Sequence, residues 1–213
     1  MAAPTTYSTI ARDGEATIEV KRSKFLCTLR RVEQEPDARA LVEQMRKQHW
    51  DARHHCSAFV LGPDAGVQRS SDDGEPAGTA GAPMLEVLRG QGSGQGVSDV
   101  AVVVTRWFGG ILLGAGGLVR AYGDAVQAGL DEVGLLRRQL VQEWSLELDH
   151  AEAGRVESDL RSRGVEVLDV AWTEKVRLLL GTTDAAALEV MVAEYTAGRG
   201  ELVRAGERWV DLR

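Results

Sequence analysis

Two cysteines, Cys27 and Cys56, in a chain of 213 residues are too few for a disulfide framework, and they lack the paired spacing of a thiolate metal site. Long apolar runs are missing as well, since no stretch approaches the roughly 20 residues that span a bilayer. The first residues, MAAPTTYSTIARDGEA, contain no basic segment followed by an apolar one, so a secretory leader is not expected. These absences point to a reduced, cytoplasmic setting without membrane contact. An excess of positive charge is also lacking: the net charge of −7 argues against wholesale wrapping of nucleic acid. What is present, 44% hydrophobic residues with 27% charged, suits a soluble protein with a real core.

The average charge hides a split. Residues 1–138 hold 16 Lys and Arg against 17 Asp and Glu, a net of −1, whereas residues 139–213 hold 9 against 15, a net of −6. Any basic patch therefore belongs to the first part. The second part should repel phosphate, and its acidic surface is a candidate docking face for a protein partner.

The last 75 residues read most clearly. LVQEWSLEL (140–148) alternates as a strand, and 150–163 has a helical apolar face of Ala153, Val156 and Leu160 that Gly164 ends. VEVLDVAW (165–172) and KVRLLLGT (175–182) form a hairpin, Asp184 caps a helix over 185–197, and ELVRAGERWVDL closes the chain. This β-α-β-β-α-β order predicts a ferredoxin-like domain over 139–213. The first part, 1–138, is less regular. Residues 16–31 look extended, Pro36 opens a helix, HHCSAFVL (54–61) reads as a strand, QRSSDDGEPAGTAGAP (68–83) as a polar segment and MLEVLR (84–89) as a short helix. GQGSGQGVS (90–98) reads as a flexible loop, followed by a strand, a glycine loop and a helix near Leu118. The first part reads as an α/β or α+β domain, the boundary falls near Arg137–Gln139, and the chain as a whole is taken as α+β with two domains.

Four stretches carry possible chemistry. In RWFGGILLGAGGLVRAY the glycines Gly109, Gly110, Gly114, Gly116 and Gly117 permit close backbone approach, and the following helix would present free N–H groups to an anion between Arg106 and Arg120. Neither GxxxxGK[ST] nor GxGxxG is met, and tight strand-to-helix packing explains the same glycines. The SDDGEPAGTAG stretch (71–81) offers Asp73, Glu75 and Thr79 for acid–base work or turn chemistry. Adjacent strand residues point to opposite faces, so only His54 and Cys56 of His54-His55-Cys56 could share a ligand; core packing is the simpler reading, with a Cys–His catalytic pair as the weaker one. Finally, period-2 counting over KRSKFLCTLRR places Arg22, Lys24, Thr28 and Arg30 on one face, a basic strand that either positions phosphates or is simply solvated.

SKFL (23–26), RHHCSAFVLG (53–62), SDDGEPAGTAGAPML (71–85) and VVVTRWFGGILLGAGGLVRAY (102–122) together resemble the YigZ/IMPACT family and cover most of residues 20–125. That resemblance implies a first domain similar to β-α-β-type ribosomal and elongation-factor domains, and a second similar to the fifth domain of elongation factor G. It also implies a link to translation. Members commonly carry a lysine in FGGxKLG, where this chain has Leu112, which weakens a phosphate cradle. The expectation is a non-enzymatic, translation-associated protein that binds RNA or the ribosome through Arg22, Lys24, Arg30, Arg106, Gly109, Gly110, Gly116, Gly117 and Arg120, without metal or cofactor. The alternative is an enzyme acting on a small anionic substrate with Asp73, Glu75 and Thr79. One shared concave site would favour the enzyme, and a spread convex basic face would favour RNA.

Overall fold

A computed structural model describes residues 4–91 and 96–212. In chain order the elements are β1 (Thr6–Ile10), β2 (Gly14–Val20), β3 (Ser23–Arg31), α1 (Glu35–Gln48), β4 (His54–Leu61), β5 (Val67–Ser71), α2 (Gly81–Gly90), β6 (Val100–Trp107), α3 (Ala115–Val133), β7 (Leu135–Leu148), α4 (His150–Ser162), β8 (Glu166–Trp172), β9 (Val176–Thr182), α5 (Ala185–Thr196) and β10 (Leu202–Leu212). The chain divides into two compact units that meet at Arg138/Gln139, with Leu212 counted in the first.

The first unit is a five-stranded sheet in the order β2-β3-β6-β4-β5. β6 pairs antiparallel with both β3 and β4, so those two strands run parallel with β6 between them, joined by the α1 crossover. The run VAVVVTRW is apolar without alternation because both faces of β6 are covered. Val100, Val102 and Val104 join the core beneath α2 and α3, while Ala101 and Val103 join a separate core beneath α1. A buried knot ties down the start of this unit. The Tyr7 hydroxyl donates to Asp99 Oδ2, Asp99 Oδ1 accepts from the Gly62 N–H at 2.9 Å, and Arg138 donates to the Tyr7 oxygen at 2.7 Å. Burial and the bond to Asp99 push the Tyr7 phenol well above its ordinary pKa.

Three local expectations need correction. Lys21 and Arg22 do not continue an extended strand: both have positive φ, 46° and 68°, and form the two-residue turn between β2 and β3. A turn with both central residues left-handed usually carries Gly or Asn, so nothing in the sequence announced it. The polar segment 68–83 hides the edge strand β5, exposed enough to need no apolar pattern. The α3 helix starts at Ala115 rather than near Leu118. Of the loop expected over 90–98, residues 92–95 lie outside the described residues.

The second unit follows the β-α-β-β-α-β order, with β7-β9-β8 paired in sequence and β10 on the other side of β7, the ferredoxin-like arrangement. Leu146, Leu148, Val156, Leu160, Leu178, Leu180, Leu188 and Val192 fill its core. Asp184 caps α5 by accepting from the Ala187 N–H at 3.0 Å, and Gly164, with φ of 81°, follows α4 in the left-handed conformation expected of it.

Candidate functional site

The acidic turn between β5 and α2 assigns a different task to each carboxylate. Asp72 accepts three backbone N–H bonds, from Gly78 at 2.7 Å, Ala80 at 3.0 Å and Gly81 at 2.8 Å, and so holds the start of α2, whose own N-cap position is an alanine. Partial burial disfavours its charge, but the three donors together leave its pKa below the ordinary carboxylate range. Asp73 bridges elements: Oδ2 accepts from the His55 N–H at 2.6 Å, and Oδ1 meets Arg46 at 2.7 Å. The Thr79 hydroxyl donates to the Pro76 carbonyl at 2.6 Å. Asp73 and Thr79 are thus engaged in building the turn, which removes them from acid–base work.

Glu75 is different. Its side chain is 4% exposed and meets the Arg106 guanidinium at 2.6 Å, while the Tyr122 hydroxyl donates to it at 2.7 Å. Both bonds fall on Oε1; Oε2 makes none among the described residues. The Cys56 thiol lies behind this cluster, 3.0 Å from the Asp72 carbonyl and 3.2 Å from the Tyr122 oxygen. Burial pushes that thiol up to about 12, too high for a nucleophile near neutrality, so the Cys–His reading fails. The His54 Nδ1 lies 2.9 Å from the Asp73 carbonyl, an acceptor only, so Nδ1 carries the proton and Nε2, 4.0 Å from Glu75 Oε1, carries the lone pair in the neutral ring.

A cavity of about 360 Å³ opens beside this cluster, lined by Arg53, His54, Glu75, Arg106, Phe108 and Leu112 together with the first residues of α3. The glycine loop forms one wall. A Cβ on Gly109 would lie 2.0 Å from the Arg22 carbonyl group, so glycine is demanded there by close packing against the β2–β3 turn. Gly110 and Gly114 take positive φ of 85° and 73°. Gly116 borders open space, and Gly117 touches only Leu113 at 3.1 Å.

The structure brings Arg106, Glu75 and the glycine loop together and sets Arg22 against Gly109, but it does not gather the whole basic set. Arg106 is buried and paired, its guanidinium over the rings of Phe25 and Phe108 at 5.4 and 5.7 Å, and is no part of an exposed face. Thr28 is buried and bonded to Glu15. Arg30 faces Gln44 of α1 and Asp13, six register steps from Lys24 along β3, or about 20 Å. Arg120 is exposed on α3 and has no partner among the described residues. The expected basic strand face is therefore corrected to a cluster at one end of the sheet. There the Lys24 ammonium lies 4.9 Å over the Trp107 ring, and the Arg53 guanidinium 5.9 Å from the Phe108 ring. Trp50, in the turn leading to β4, is 83% exposed and Phe108 is 39% exposed. Counting charges missed Arg53, Trp50, Phe108 and Tyr122, because their grouping depends on which strand ends lie side by side; the signal that held most of them was the motif blocks themselves.

Among the described residues no group of His, Cys, Asp or Glu is placed to hold a metal ion, and no helix is long and apolar enough to cross a membrane.

The fold and the site define a two-unit α+β protein whose first unit encloses a glutamate–arginine cavity behind a glycine loop. Residues 21–130 match the Impact N-terminal domain, and residues 146–199 match a domain of unknown function, DUF1949. The chain is 38% identical over 198 residues to the IMPACT family member YvyE of Bacillus subtilis, covering 92% of this chain and 89% of that protein. It is likewise 38% identical to the IMPACT family member YigZ of Escherichia coli, over 87% and 91% of the two chains. It belongs to the IMPACT family. A solved crystal structure of a hypothetical protein superposes with a TM-score of 0.61 at 34% identity, covering 95% of this chain and 98% of the other.

Proposed function

We propose that this protein acts in translation by binding RNA, free or on a ribosomal surface, through the sheet end of its first unit. The observation that carries this reading is the interleaving of cations and aromatic rings at one end of the sheet, where Arg53 and Phe108 also line the cavity. Lys21, Arg22 and Arg53 have no acidic partner among the described residues, Lys24 lies over Trp107, and Trp50 and Phe108 are exposed. Cations track a phosphate backbone and rings stack bases without needing a sequence, which is the usual pattern for single-stranded nucleic acid. Asp51 accepts from the Trp107 indole at 2.9 Å and orients that ring, and Glu19 stands opposite Lys24 in the β2–β3 register. An enzyme acting on a small anionic substrate finds less support. Asp73 and Thr79 are engaged in the turn, and Glu75 is already paired with a cation.

The test is binding of short single-stranded and hairpin RNAs, followed by anisotropy across a salt series. About four phosphate contacts predict a slope of log K against log salt near −3. Arg22→Glu, Lys24→Glu and Arg53→Glu should each weaken binding, whereas Arg30→Glu, at the far end of β3, should have little effect. Leu112, 83% exposed at the cavity lip, can take a lysine without disturbing the fold. Leu112→Lys should strengthen binding and steepen the salt slope by about 1. No association at low salt with folded protein overturns the proposal.

A further inference from the structure

We infer that the cavity beside Glu75 is a guanine pocket that takes one unstacked base of the bound strand; that occupant rests on the RNA reading above. The walls are mostly hydrocarbon, from Pro76, Phe108, Leu112, Leu113 and Leu118. Its volume of about 360 Å³ lies near the lower bound of small-molecule sites, about 300 Å³. A single base fits such a space, and a folded helix or peptide does not.

Four polar side chains line the cavity: Arg53 and Arg106 are donors, Arg106 already paired with Glu75, while Glu75 and His54 offer acceptors. Glu75 is 4% exposed, and its Oε1 already receives Arg106 and Tyr122, which leaves Oε2 as a carboxylate oxygen with no donor. Oε2 stays accessible at the cavity, where a ligand donor can reach it. In the neutral ring, with Nδ1 donating to the Asp73 carbonyl, His54 Nε2 is a second acceptor, 4.0 Å from Glu75 Oε1. Two neighbouring acceptors ask for two neighbouring N–H donors. Among the four RNA bases only guanine places an imino and an amino donor side by side on its pairing edge. Adenine and cytosine set a lone pair next to their amine, and uracil flanks its single N–H with two carbonyls, so each would oppose an acceptor to an acceptor. Phe108, partly exposed and with the Arg53 and Arg106 guanidiniums 5.9 and 5.7 Å from its ring centre, is the aromatic side chain of the lining that a base can pack against. At the mouth, the Arg53 guanidinium and the free N–H groups that open α3, a helix of 19 residues, face the position of the attached phosphate. Gly114, with φ of 73°, caps that helix end with no side chain in the way.

Titrating the full-length protein with GMP, IMP, AMP, CMP and UMP, followed by calorimetry, tests the assignment. GMP should bind at least about tenfold tighter than AMP, CMP or UMP, and IMP, which lacks the amino group alone, should lose most of that advantage. Guanine-rich oligonucleotides should be preferred, and GMP should compete for the preference. Glu75→Gln replaces one acceptor by a donor and should erase the discrimination. Should that variant not fold, Phe108→Ala at an exposed position should weaken all nucleotides together, and the GMP-to-IMP comparison on the unaltered protein still decides. Salt-dependent RNA binding with no preference among the mononucleotides overturns the pocket while leaving the RNA reading intact. Selective GMP binding without RNA association overturns the RNA reading and keeps the pocket for the free nucleotide. Binding of neither overturns both.

Discussion

At the residue scale, the two consecutive aspartates of the DDGEP turn show how position rather than type sets a role. Asp72 is the cap of a helix that begins nine residues later, because the turn folds its carboxylate back onto the N–H groups of Gly78, Ala80 and Gly81. Asp72→Ala should destabilise the first unit by about 0.5–2 kcal/mol, the usual cost of a lost cap. The pH dependence has a definite sign. The depressed Asp72 pKa means that its contribution is present above the ordinary carboxylate range and is lost as pH falls below about 4. Burial lowers the His55 pKa, so the fold holds that ring neutral while the unfolded chain takes up its proton near pH 6.5. Both groups therefore remove stability on acidification, His55 first and Asp72 below it. Thermal unfolding followed from pH 8 to pH 3 should show a decline in two stages, with the lower stage flattened in Asp72→Ala.

Elements show the same dependence on what lies opposite. Two glycines of α3 differ only in their neighbours. A Cβ on Gly129 would meet Cys27 Sγ and Leu29 Cδ1 of β3, each at 2.7 Å, whereas one on Gly123 would find Val87 at an ordinary 3.6 Å. Gly123→Ala should therefore stabilise by about 0.5–1 kcal/mol through helix propensity. Gly129→Ala should destabilise by about 1–3 kcal/mol through overpacking. Adding Cys27→Ala should return part of that loss, which denaturant unfolding of the single and double variants measures. Helix periodicity makes both glycines visible in the sequence, yet the opposite signs of the two substitutions come from the packing of α3 on β3. The β2–β3 turn is a similar case. Its two left-handed residues are Lys21 and Arg22, held by strand pairing from Val20 to Ser23, and their local composition gives no turn signal.

On the scale of the whole molecule, each unit has its own apolar core, and the charge is divided between them, −1 before residue 139 and −6 from there on. If the first unit carries the RNA contacts, a chain ending at Arg138 should bind RNA at least as tightly as the full chain, since a net of −6 has been removed; a marked loss in the same anisotropy assay would assign contacts to the second unit. Periodicity alone determined nearly every element of the second unit, because regular strands and helices write their buried faces into the sequence at spacings of 2 and 3.6. Motif blocks marked the region of the site for the same local reason: turns and close approaches require glycine where a Cβ would collide, as Gly109 does against Arg22. What only the tertiary structure decided is which groups meet. Arg106 and Glu75 are 31 positions apart, Tyr122 and Cys56 are 66 apart, and the Arg22 carbonyl group packs against Gly109 of the glycine loop while Arg30 lies near the opposite end of β3. Those encounters follow from strand order and register, and so from the burial of two helical layers on one sheet, which no short stretch of sequence contains.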